Sequence, residues 1–211
     1  MFKSNKNVRQ MSLIGVLSSA CLSLMVGSAA AADTCASAIN DKGYNFRLSS
    51  AQSATITNHQ KVDGGYQEIK TLVKDGNTFV SKALYSHPLL VIMREFGENT
   101  FVISYPDGGA DLNLLPDNKR FDTAFKMFVG EEFIANGKKQ IEFMGQENVK
   151  IGDCTYKDVW KVRDTTVIDE LVPIVIEKYY ASDLELVIRS VVIDAAGNIK
   201  SDTSYDKIEN E

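Results

Sequence analysis

The sequence predicts a mainly β protein: an antiparallel sheet, folded as an open half-barrel or as a closed barrel or sandwich, with one or two short helices. From Ser53 onward, around ten runs of strand-forming residues recur at short intervals. Gly, Asn and Asp clusters punctuate them, which is the pattern of successive hairpins. Two of the runs are apolar on both faces, so the sheet must be covered on both sides there.

Taken in order, "SATITNH" (Ser53–His59) alternates and is followed by the turn "KVDGG". "YQEIKTLV" (Tyr66–Val73), the tight-turn signal "KDGN" and "TFVSKALY" (Thr78–Tyr85) read as a hairpin. Pro88 in "SHP" cannot donate to a ladder and ends the pairing. "LLVIMREF" (Leu89–Phe96), "GEN" and "TFVISY" (Thr100–Tyr105) form a second hairpin, and Pro106–Arg120 reads as a polar loop. Phe121, Phe125, Phe128 and Val129 fall at helical spacing and suggest a short helix; "TCASAIN" near residue 34 suggests another. Asn136-Gly137, between "EEFIA" and "KKQIEFM", is a strong two-residue hairpin signal. "NVKIG", Cys154–Arg163, Leu171–Tyr180, Leu184–Asp194 and Ile199–Ile208 complete the series.

The doubly apolar strands are Leu89–Phe96 and Leu184–Asp194. Burying one such side chain is worth roughly 1.5–3 kcal/mol, so neither face is expected to stay bare. The chain has few helices to serve as cover. Another sheet, the opposite wall of a barrel, or a bound apolar molecule can supply it. The candidate apolar groove is therefore Leu90, Ile92 and Phe96 with Val187, Val191 and Ile193.

The N-terminus carries an export signal. Lys3, Lys6 and Arg9 precede the apolar run "SLIGVLSSACLSLMVG", and "SAAAA" supplies the small residues for cleavage after Ala32. Removing those 32 of 211 residues leaves 179, expected to form a single β-rich domain over 33–211. Cys21, with a faint lipobox look, leaves with the signal, and no membrane span is expected afterwards. The signal holds three of the 23 basic residues and none of the 28 acidic ones, so the mature balance is −8. That balance, with no block of Lys or Arg, excludes nucleic acid as a partner. Cys35 and Cys154 remain, in an oxidising periplasmic or secreted setting, and are expected to form a disulfide. Closing so long a loop stabilises by roughly 4–5 kcal/mol in the chain-entropy account.

The catalytic inventory is thin. His59 and His87 are the two histidines, without metal-ligand spacing. Ser86 adjoins His87, and neighbours on an extended chain point apart. Asp107, Asp111 and Asn113 suggest a calcium loop, but Asn118 stands where a bidentate Glu is needed. Glu131-Glu132 and Asp169-Glu170 are pairs in sequence only. No catalytic residue, metal or cofactor is expected; a hydrolase built on the Asp107–Asn113 loop and His87 is the weakest reading.

"EKYYASDLELVIRS" (Glu177–Ser190) reads as a hairpin closing a sheet. Tyr179 and Tyr180 point to opposite sides, so one of them meets the core, while Arg189 shares a face with Val187 and Val191 and snorkels to the edge. "GQENVKIGDCTYKDVWKV" followed by "EKYYASDLELVIRSVVIDAAGNIKSDTSYDKI" resembles the C-terminal half of a group of exported bacterial β proteins, some similar to the half-barrel lipoprotein-carrier (LolA-like) architecture. The resemblance covers Gly145 to Ile208. Cys154 departs from the small residue found near that turn. The expected role is non-catalytic binding of an apolar or amphipathic, lipid-like ligand. The alternative is an accessory component of a cell-envelope assembly that binds another protein.

Overall fold

A backbone that must bury apolar residues from successive hairpins, with hardly any helix, has one economical solution: a single curled meander. The computed structural model shows it. Its described residues are 35–36, 43–50, 53–106, 108 and 110–211, so the expected export signal and most of "TCASAIN" lie outside them. The strands are β1 (Tyr44–Ser49), β2 (Ser53–Val62), β3 (Gly65–Lys74), β4 (Asn77–His87), β5 (Leu90–Phe96), β6 (Asn99–Ser104) and β7 (Arg120–Val129). They continue with β8 (Glu132–Ile151), β9 (Cys154–Ile168), β10 (Ile174–Ala181), β11 (Leu186–Ile193), β12 (Ile199–Ser204) and β13 (Lys207–Asn210). All pair antiparallel in one open sheet, in chain order from β12 back to β1, with β13 added beyond β1.

The last two strands explain the curl. β12 lies on one edge of the sheet and β13 on the other, yet only Tyr205 and Asp206 separate them. Four residues reach at most ~14 Å, so the two edges must approach within that distance. Asp206 fixes the corner: its N–H donates to the Arg47 carbonyl at 2.7 Å, and its carboxylate accepts from the Ser49 N–H at 2.6 Å. Gly152, in the β8–β9 turn at φ +56°, passes so close to the Asp206 carbonyl that a Cβ would strike it. Cys35 and Cys154 form the disulfide, with Cα atoms 5.5 Å apart, and tie the segment before β1 to this same hairpin. Among the described residues no helix is long and apolar enough to cross a membrane.

Several sequence expectations are corrected. Phe121–Val129 is strand β7, not helix; Phe121, Thr123, Phe125 and Met127 alternate inward between exposed residues. The helix-spaced phenylalanines arise because β7 shifts register after Met127 and brings Phe128 opposite Phe133. Asn136-Gly137 does not turn. β8 runs straight through it, and the chain reverses at Gly130-Glu131 instead. Gly137 pairs with Phe125, whose ring lies across it where any Cβ would stand. The helical turns occur in the supposed loop: a 3-10 turn over Ala110–Leu114 and a one-turn helix, α1 (Leu115–Asn118). Leu184 lies in a 3-10 turn (Ser182–Leu184) rather than in a strand.

Two apolar clusters result. One gathers Phe46, Ile151, Val159, Tyr179, Ile188 and Ile208 among others. The second joins Leu89, Leu90, Leu112, Leu115, Ile141 and Tyr180. The chain therefore covers its own two-sided strand: Leu112 and Leu115, from the β6–β7 connection, seal Leu89 and Leu90. Tyr179 and Tyr180 do point apart, but both are buried, one in each cluster. A bulge beside Ile188 pairs Val187 with Tyr180 and Arg189 with Tyr179, so Val187 and Arg189 do not share a face.

Candidate functional site

In a meander, alternate turns share an end. The β2–β3, β4–β5, β6–β7, β8–β9 and β10–β11 connections form one end, and bonds cross between opposite walls there. Glu185, at φ 50° in the β10–β11 turn, accepts from Tyr66 Oη at 2.6 Å and from Lys61 Nζ at 3.1 Å. Lys178 Nζ reaches the Leu89 carbonyl at 3.4 Å, and the His87 and Tyr180 rings lie 5.5 Å apart. His87 Nδ1 accepts the Leu89 N–H at 3.1 Å. Burial lowers both His59 and His87 to about 4, so each is neutral near pH 7. This end is the floor.

Above it the sheet encloses a cavity of ≈ 280 Å³. Phe46, Tyr85, Val91, Ile176, Leu186, Val187 and Val192 give it apolar lining. Charged side chains share that lining. Lys139, Asp164 and Lys178 stand on one wall, and Glu68, Lys70 and Arg94 on the other. Asp164 is the hub of the first wall. Its Oδ1 accepts from Lys139 Nζ at 2.6 Å and its Oδ2 from Lys178 Nζ at 2.6 Å, and Lys139 also donates to Thr166 Oγ1 at 2.8 Å. Burial alone would raise the Asp164 carboxyl, but Lys178 and Lys139 overcome it and hold the group at about 2. Lys139 is lowered to about 8 by burial, reinforced by Lys178 and opposed by Asp164. Ser190 and Thr203, beside Lys178 on successive strands, add hydroxyls.

The other end carries the β3–β4, β5–β6, β7–β8, β9–β10 and β11–β12 turns, and it is apolar where it meets water. Phe79, Phe96, Phe133, Leu171, Val172 and Ile199 are all between 49% and 71% exposed beside these turns. Acidic residues stand between them: Asp75, Glu98, Glu131, Asp169, Glu170 and Asp194. The sheet is thus a cup with a bridged floor, a partly charged lining and an apolar lip.

The six residues of the expected groove are divided. Leu90 is fully buried in the sealed cluster, which Ile92 and Val187 border. Val191 is buried in the other cluster, beside Ile193. Phe96 is on the lip, 62% exposed. Of the six, Val187 lines the cavity; Val91, Arg94, Leu186, Ser190 and Val192 are its other lining residues from β5 and β11. Bulges near Tyr85 and Tyr179 reverse the parity of both strands, which alternation counted from sequence does not see.

The buried charges were not anticipated, although they left a trace. Asp164 occupies the inward series Trp160, Val162, Asp164, Thr166, Ile168, and Lys139 precedes Ile141 and Phe143 at the same parity. A charge on the apolar face of a strand is that trace. Asp107 lies outside the described residues. Asp169 caps backbone, accepting from the Asn136 N–H at 3.1 Å. Arg189 forms a two-pronged pair with Asp202, at 3.0 and 2.6 Å, with its guanidinium 5.0 Å from the Tyr179 ring centre. Comparison with known families, with curated proteins and with solved structures finds no match to this chain.

Proposed function

We propose that this is an exported, periplasmic or secreted, non-catalytic carrier of an amphipathic, lipid-like molecule. The observation that carries the reading is the cup itself: a ≈ 280 Å³ cavity with partly apolar lining, in a sheet whose one end carries exposed phenylalanines and aliphatic residues. Small β-barrels either fill their interior or hold one ligand, and this volume lies just below the ligand-pocket range of about 300–1,000 Å³. A lip that stays apolar in water is suited to meeting a hydrophobic surface during loading and release. The Cys35–Cys154 disulfide fits an oxidising compartment. The resemblance of Gly145–Ile208 to exported bacterial β proteins, some of them similar to the half-barrel lipoprotein-carrier architecture, points the same way.

The test is direct. A fluorescent fatty acid titrated into the purified protein should show saturable, one-to-one binding, and native mass spectrometry should retain the adduct. Absence of both would remove the reading. A second reading, an accessory envelope component that docks another protein, draws on the alternation of apolar and acidic residues around the lip. It requires a salt-sensitive partner on that lip and no ligand inside the cup.

A further inference from the structure

The chain is acidic, with a formal net charge of −5, yet the charged belt of its cavity is basic. Lys70, Arg94, Lys139 and Lys178 line it against only Glu68 and Asp164. The imbalance is sharpest where water is scarcest. The Lys139, Asp164 and Lys178 side chains are 8%, 2% and 18% exposed, two ammoniums against one carboxylate. Both carboxylate oxygens are already engaged, and Thr166 Oγ1 adds a third donor to Oδ1 at 3.2 Å. Each ammonium has three donors. Lys139 places two, on Asp164 and Thr166, and Lys178 places two, on Asp164 and the Leu89 carbonyl. Donor capacity and one unit of positive charge are therefore left over at the cavity wall, where an unbalanced charge is expensive. A bound anion would balance it.

We infer that the cup selects amphiphiles with an anionic headgroup, a carboxylate or phosphate, seated on Lys139 and Lys178 and faced by Lys70 and Arg94. This rests on the carrier reading and deepens it. The tail lies along Phe46, Tyr85, Val91, Leu186 and Val187, and the head stays on the charged residues of the wall. The hydroxyls of Ser190 and Thr203, which line the cavity next to Lys178, complete the polar seat. Lys139 agrees with this picture, since burial and its neighbour Lys178 already disfavour its proton when no anion is present.

Calorimetric titration of the purified protein with dodecanoate, dodecanol, dodecyltrimethylammonium and inorganic phosphate tests the inference. Dodecanoate should bind about tenfold tighter than dodecanol, the scale of one or two charge-assisted hydrogen bonds. The cationic amphiphile should be the weakest of the three chains, and phosphate alone should bind at least about tenfold more weakly than dodecanoate. The double variant Lys70→Gln/Arg94→Gln keeps Lys139, Asp164 and Lys178; it should weaken dodecanoate more than dodecanol, and equal losses for the two would overturn the inference. If dodecanol binds as tightly as dodecanoate, the headgroup inference is overturned and the carrier reading stands. If phosphate matches dodecanoate, the site is one for small anions and the inference is also overturned. If no amphiphile binds, both readings fall.

Discussion

Lys139 Nζ donates to Asp164 Oδ1 at 2.6 Å inside the wall of the cup, with both side chains almost sealed from water. The pair is a commitment made by the fold. Removing the carboxylate leaves two buried ammoniums without their counter-ion, and breaking a buried pair in this way costs about 3–5 kcal/mol. Asp164→Asn should therefore lower the urea midpoint strongly, whereas Lys139→Met should do less, because Lys178 still balances Asp164. Equal losses from the two would contradict the hub role of the aspartate.

Acid should unfold the protein in two windows. The folded-state values of His59 and His87, about 4, lie below the ordinary 6.5, so the unfolded chain binds more protons and stability falls as pH drops from 6.5 to 4. Asp164, held at about 2 against an ordinary 3.8, contributes stability that is present above 3.8 and lost as pH falls toward 2. At 1.36 kcal/mol per unit, each histidine accounts for about 3 kcal/mol and Asp164 for about 2 kcal/mol. Denaturant midpoints measured from pH 7 to pH 2 should show both declines, with His87→Gln flattening the upper one.

Gly137 is held by Phe125. An added Cβ would fall inside the phenyl ring, and Phe125 is only 4% exposed. Gly137→Ala should destabilise by about 1–3 kcal/mol, as overpacked cores do. Adding Phe125→Leu should recover part of the loss, and a double-mutant cycle would measure the coupling. An additive cycle would mean that the two sites do not clash.

The disulfide should matter through the unfolded chain. Cys35 and Cys154 are 119 residues apart, and opening that loop costs up to about 5 kcal/mol. For a domain of this size, each kcal/mol moves Tm by about 2–4 °C. Reduction, or Cys35→Ser/Cys154→Ser, should lower Tm by about 10–20 °C. A shift of a degree or two would show that the hairpin corner holds without it.

The lip should behave in the opposite way. Phe79 and Phe96 are 49% and 62% exposed, so Phe79→Ser/Phe96→Ser should leave stability within about 1 kcal/mol. Uptake of a fluorescent fatty acid from vesicles should slow. Unchanged uptake would separate the lip from loading.

The fold was readable because hairpins write locally. Pro88 and the Asp75-Gly76 turn fall where the chain reverses, and the fold class follows from their spacing. Asn136-Gly137 misled for a physical reason: the glycine serves a phenylalanine on the neighbouring strand, a contact no window along the chain contains. The site failed in the same way. Bulges beside Tyr85 and Ile188 exchange inside for outside, so Val91 and Val192, rather than Leu90 and Val191, face the cavity. The belt of charge was visible only as Asp164 and Lys139 breaking an apolar rhythm, and a single such break is ordinary at the surface.

β12 and β13 are one bent segment that grips both borders of the sheet. Every earlier hairpin can pair with its neighbour as it appears, but the join between Tyr44 and Asn210 spans nearly the whole polypeptide. Completion of the vessel is therefore a late event, slow by virtue of its long loop closure. A chain that has not yet placed β12 and β13 is a ribbon with two unsatisfied borders, prone to pair with other chains.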